Sequence, residues 1–186
     1  MVSWPALSTG KRICGTPSGT PRGTGNGSLQ TGYVIAQGDQ PGIMGFTNFT
    51  FNDGVHNSTA AVPADSVPNP HLLFSHVAHG VNAGTGVPYQ TGIALVNPFG
   101  APVEYTLSVY DGTGALVAQT SDTMAPHQKV AKILSHPVAG AGFFTQPLTL
   151  GSGHVEVTSD YGLLGFELFF TEDYSQLASV PAQIGN

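Results

Sequence analysis

The sequence predicts an all-β fold, an antiparallel sandwich built of hairpins, and three observations point there. From Leu29 onward short apolar runs alternate with turn residues about every ten positions, the spacing of strand and turn in such folds. No window sustains a capped amphipathic helical stripe, and parallel βαβ folds need crossover helices. The 25 Gly and 14 Pro of the 186 residues make up about a fifth of the chain, while only 9% is charged, which excludes a coiled coil or long-helix protein.

In chain order, residues 1–27 are rich in Gly, Pro, Ser and Thr without hydrophobic period, and read as a flexible leader. Strands are expected near 29–37, 43–51, 58–62, 72–79 and 90–97. The clearest follows: Val103, Tyr105, Leu107 and Val109 share one face of a strand, and Glu104, Thr106, Ser108 and Tyr110 the other. It runs into Asp111-Gly112-Thr113-Gly114, whose residues tolerate positive φ, and returns as 115–120, forming a hairpin. Further strands are expected at 128–134, 153–159, 163–171 and 176–181. The best helical candidate is one short turn near Ala131 to Ser135.

A self-comparison reveals an internal repeat. Residues 32–46, GYVIAQGDQPGIMGF, match residues 153–166, GHVEVTSDYGLLGF, with one single-residue gap. Gly32 matches Gly153, Gly42 matches Gly162, Gly45 matches Gly165 and Phe46 matches Phe166. Both segments reach a related tail, Ala60-Ala61-Val62-Pro63-Ala64 and Ala178-Ser179-Val180-Pro181-Ala182. Residues 28–66 therefore read as the C-terminal strands of one unit, and 71–186 as a complete following unit. Glycine weakens a strand, so Gly45 and Gly165 imply a bulge or a close backbone approach, or more plainly a strand kink.

His-Val-Ala at 76–78, Thr-Gly-Ile-Ala-Leu-Val-Asn-Pro at 91–98, Tyr-Asp-Gly at 110–112 and Gly-Phe-Glu-Leu at 165–168 carry a resemblance. Together they resemble tandem modules of secreted bacterial surface proteins, related in architecture to immunoglobulin-like and fibronectin type III sandwiches. The resemblance implies an immunoglobulin-like β-sandwich with extra strands from the partial preceding repeat, and a spacer, adhesion or carbohydrate-contacting role without a catalytic set. The shortened first unit and the unmatched leader depart from that pattern.

Composition narrows the function classes. Beyond Arg22 the basic residues are Lys129 and Lys132 against eleven carboxylates, so phosphate is repelled and nucleic-acid binding is excluded. Cys14, the single cysteine, excludes an intramolecular disulfide framework and a cysteine-based zinc finger. No apolar run approaches a membrane span, and the amino terminus lacks the apolar stretch of a signal peptide. The expected location is extracellular or at the cell surface, and the expected partners are another protein or a second copy, with a glycan as the alternative.

Few residues suggest chemistry. His76 and His79 are the metal candidates, since zinc is often held by closely spaced histidines. On a strand they point to opposite faces, so His76 reads as a buried or interface histidine donating to a carbonyl, and His79 as a loop residue. Tyr110 and Tyr161 are the ligand-binding candidates, as aromatics expected to be exposed on a polar face and in a turn. Asp111, Asp122 and Asp160 sit in turn-like positions without EF-hand spacing, and Glu172-Asp173 reads as a solvated turn. With no nucleophile elbow and no base near Cys14, no enzyme and no cofactor are expected.

Overall fold

The computed structural model describes residues 12–14, 33–37, 44–52, 54–65, 67–82, 84 and 86–185, and among them the fold is all-β without a helix. Compactness divides the chain into residues 1–45 and 46–186. In the first unit, β1 (Arg12–Cys14) pairs antiparallel with β2 (Ile35–Gln37). Arg12–Cys14 falls within the segment 1–27 read as a flexible leader, and its strand pairing is one that the local pattern does not show. The rest of that leader lies outside the described residues. The expected 28–66 segment also spans the division, and its later strands belong to the second unit.

That unit begins with a separate hairpin, β3 (Phe46–Asn52) and β4 (Asn57–Pro63). Nine strands then form one continuous network. They are β5 (Asn69–Phe74), β6 (Tyr89–Val96), β7 (Val103–Asp111), β8 (Leu116–Met124), β9 (Lys129–Ser135), β10 (Gly142–Phe144), β11 (Gly153–Thr171), β12 (Leu177–Pro181) and β13 (Gln183–Ile184). Every pairing is antiparallel except β9 with β10. The predicted helical turn at Ala131 to Ser135 is strand β9 instead. Its hydrogen bonds to β6, with Ala94 opposite Ala131, override the local preference.

Strand β11 organises the network. Its first half pairs with β5 and β7, and its second half with β6 and β12. Two sheets, β8-β7-β11-β5-β13 and β10-β9-β6-β11-β12, therefore share one strand, which changes sheet by bending. The bend lies at Gly162, with φ of +122°, where an added Cβ would stand 3.1–3.2 Å from backbone atoms of Asn69 and Pro68. The two strands expected at 153–159 and 163–171 are thus halves of one. Asp160-Tyr161-Gly162 turns a corner without reversing the chain.

Both sheets contribute to a single core. Leu72 and Phe74, Ile93 and Leu95, Val103, Leu107 and Val109, Met124, Leu134, and Val155, Val157 and Leu163 form one buried cluster. Each such side chain contributes about 1.5–3 kcal/mol on burial. Gly165 lies inside this cluster, where an added Cβ would meet Phe74, Leu72 and Leu95 at 3.0–3.1 Å. What closes on this glycine is side chains of β5 and β6, not the backbone approach expected from the sequence.

Candidate functional site

Alternation along β11 sends Val155 and Val157 into the core and leaves His154, Glu156 and Thr158 on the opposite face. Strand register then builds a ladder on that face. Tyr110 lies opposite His154, Ser108 and Leu73 opposite Glu156, and Thr106 and His71 opposite Thr158. The rings of Tyr110 and His154 stack nearly parallel, with centroids 4.8 Å apart. One oxygen of Glu156 stands 3.8 Å from His154 Nε2, and the other 3.8 Å from His71 Nε2. Gln119 Nε2 donates to Ser108 Oγ at 2.9 Å. The result is a polar face able to offer hydrogen bonds, an aromatic pair and one carboxylate flanked by imidazoles.

At its far end the same sheet carries a shallow depression of about 510 Å³, bordered by Glu104, Thr106, Ser121, Asp122, Thr158 and Asp160. Thr106 Oγ1 and Ser121 Oγ share a 2.8 Å hydrogen bond, and Asp160 Oδ1 accepts from the Glu104 amide. Asp111 stands at the other end of β7, closing the hairpin turn by accepting from the Thr113 and Ala115 amides and the Thr113 hydroxyl. Those hydrogen bonds, led by the Thr113 hydroxyl, hold its carboxyl below the usual range. The fold thus separates Asp111 from Asp122 and Asp160.

The two candidate tyrosines are also apart. Tyr110 is half-buried against His154, while Tyr161 is 68% exposed at the β11 corner. Seven residues of strand separate His154 from Tyr161, roughly 20 Å, so the two rings do not form one platform.

The histidines reverse the roles expected of them. Strand β5 ends at Phe74, and 75–78 is irregular because the Val77 amide turns aside to the Gly153 carbonyl. His76 is exposed, its ring edge-on to Phe169. His79 is buried and tied on both sides, with Nε2 donating to the Ser135 carbonyl at 3.2 Å and Nδ1 accepting from the Thr91 amide at 3.3 Å. Burial, partly offset by the Ser135 bond, lowers its pKa and favours this neutral form. Thr91 Oγ1 donates to Ala78, and Ser135 Oγ donates to Gln146 while accepting from the Leu148 amide. His79 therefore works as a knot joining three segments. Among the described residues no three His, Cys, Asp or Glu side chains are placed to hold a metal ion.

Two further residues stand out. Asn97 is fully buried, donating through Nδ2 to the carbonyls of Ala101, Met124 and Ala125 and accepting from the Phe99 amide. This accounts for the Asn-Pro-Phe-Gly run as a fastening between strand ends. Glu167 is fully buried with neither carboxylate oxygen hydrogen-bonded, and desolvation pushes its pKa up to about 8. The sequence groups His71 only with its chain neighbours His76 and His79, and sequence reasoning passed over His154 and Glu156. Period two across His154-Val155-Glu156-Val157 was the available signal, whereas pairing with His71 depends on register.

Comparison with protein-family models, curated proteins and solved structures finds no match. The internal comparison is the informative one. In the hairpin of β11 and β12, the second of two, Phe166 lies opposite Pro181, and in the first, of β3 and β4, Phe46 lies opposite Pro63. The matched residues of the sequence repeat occupy matched positions in two hairpins. The hairpins also touch near equivalent positions: Ser179 Oγ donates to the carbonyl of Ala61, its own counterpart. Ser58 Oγ donates to the Tyr174 carbonyl at 2.8 Å, and the Phe51 ring stacks on Tyr174, which in turn stacks on Phe170.

Proposed function

We propose that this chain is a non-enzymatic structural or adhesion module of a repeat array, acting at the cell surface or outside the cell and making contact through strand edges. The shared register of the two hairpins carries the reading. A chain that repeats its own hairpin and packs the copies side by side has the geometry of an array, in which each unit contacts its neighbours. The finer fold reading, an immunoglobulin-like sandwich extended by strands of a preceding repeat, belongs to this proposal. Two sheets sharing a core support it.

The contact surface for a second copy is the outer edge of β8. Among the described residues this nine-residue strand pairs only with β7, and Asp122 is its single charge. Edges normally carry lysine, proline or a covering segment to prevent such pairing. Sedimentation velocity over a rising concentration series tests the reading. The average mass should climb above that of the monomer, and Gln119→Lys/Ser121→Lys should abolish the climb by facing like charges across the new pair. A strict monomer at all concentrations overturns it.

The Tyr110–His154 stack beside Glu156 favours a second reading, a carbohydrate-contacting face. Glycan-array binding lost in both Tyr110→Ala and His154→Ala supports that reading, and a blank array removes it.

A further inference from the structure

Among the described residues, matching registers leave one strand edge without its counterpart. In the second hairpin, β11 has β12 on one side and β6 on the other, so that Phe166 faces both Pro181 and Ala94. In the first hairpin, β3 has β4 on one side, with Phe46 facing Pro63, and among the described residues no strand on the other. Strand β3 reads Phe-Thr-Asn-Phe-Thr-Phe-Asn, with no charge, proline or glycine, and Phe46 is 71% exposed. None of the usual protections of an open edge is present within it.

We propose that β3 is a docking edge for one extended, uncharged strand of the β6 type, supplied by a neighbouring repeat unit. The molecule itself shows what covers the equivalent edge. Strand β6, Tyr-Gln-Thr-Gly-Ile-Ala-Leu-Val, lies antiparallel on β11 from Leu164 opposite Val96 to Thr171 opposite Tyr89. Transposed by the repeat offset, such a strand runs antiparallel to residues 44–51. The equivalent of Ala94 then faces Phe46, that of Gly92 faces Asn48, and that of Gln90 faces Thr50. Neither partner brings a charge to the pairing, and main-chain hydrogen bonds supply the affinity, as in other strand additions. The β6 of a second folded copy does not serve, because β9 and β11 already hold it on both sides. The donor is a strand not yet built into a sheet. This inference rests on the array reading and adds to the β8 edge a second one, with its own kind of partner.

The test is amide hydrogen exchange of the full chain titrated with a synthetic peptide of residues 88–98, Pro-Tyr-Gln-Thr-Gly-Ile-Ala-Leu-Val-Asn-Pro. Exchange across 44–52 should slow by about tenfold or more at saturation while β8 is unaffected. The same peptide bearing Ile93→Pro should have no effect. No slowing at 44–52 with millimolar peptide, or protection of β8 in its place, overturns the assignment. Self-association through β8 reports separately on the array reading, since Gln119→Lys/Ser121→Lys leaves β3 untouched. A protein that self-associates yet ignores the peptide removes the β3 edge alone, and a strict monomer that binds the peptide retains that edge while removing the self-association.

Discussion

Glu167 shows how one residue sets a pH dependence for the whole fold. Its carboxyl is buried without a hydrogen-bond partner, so the folded protein holds it protonated up to about pH 8, while the unfolded chain ionises it near its ordinary value of 4.5. The unfolded state therefore releases the proton first as pH rises. Stability is undiminished below about pH 4.5, falls progressively up to about pH 8, and levels off above that. The difference amounts to about 5 kcal/mol. Glu167→Gln, which mimics the protonated side chain, should raise the melting temperature at pH 8 by about 10 °C and leave it unchanged at pH 4. Equal effects at both pH values would contradict the assignment. His79 acts in the opposite direction, since its lowered pKa removes stability as pH falls through the ordinary histidine range. The sequence marked Gly-Phe-Glu-Leu as a motif without revealing that its glutamate faces inward. That orientation follows from the register of β11 with β6, which places Glu167 opposite the buried Ile93.

At the level of elements, most strands were legible because their apolar residues alternate or run between turn signals. The hairpin at Asp111 is the clearest case, and β7 follows the predicted two faces residue for residue. Four features carry no local pattern that marks them. Strands β1, β10 and β13 are two or three residues long and exist through their neighbours. The continuity of β11 was hidden because glycine at positive φ serves a corner as well as a reversal. Gly162 should be intolerant of any side chain. Gly162→Ala adds both backbone strain and a clash with the Asn69 and Pro68 backbone, costing about 2–4 kcal/mol. Thermal unfolding should show a drop of about 5–10 °C. An unchanged melting temperature would mean that the two halves of β11 do not share a fixed corner.

For the whole molecule, the low charge density acquires a location. The polar face of the β7–β8–β11 sheet is made mainly of Ser, Thr, Gln and His, and the edges of β3 and β8 carry Asp122 as their one charged side chain. The repeat was legible as ordered glycine, phenylalanine and Val-Pro matches, but the contact between copies was not, because it passes through a backbone carbonyl at Ala61 and stacked rings at Phe51 and Tyr174. The sequence repeat is realised as two hairpins in one register, packed against each other. Proton NMR of the full chain tests this most directly. Cross-strand contacts are expected between Phe46 and Pro63 and between Phe166 and Pro181, together with ring contacts between Phe51 and Tyr174. Contacts within the second hairpin alone, with Phe51 and Tyr174 showing none, would contradict it.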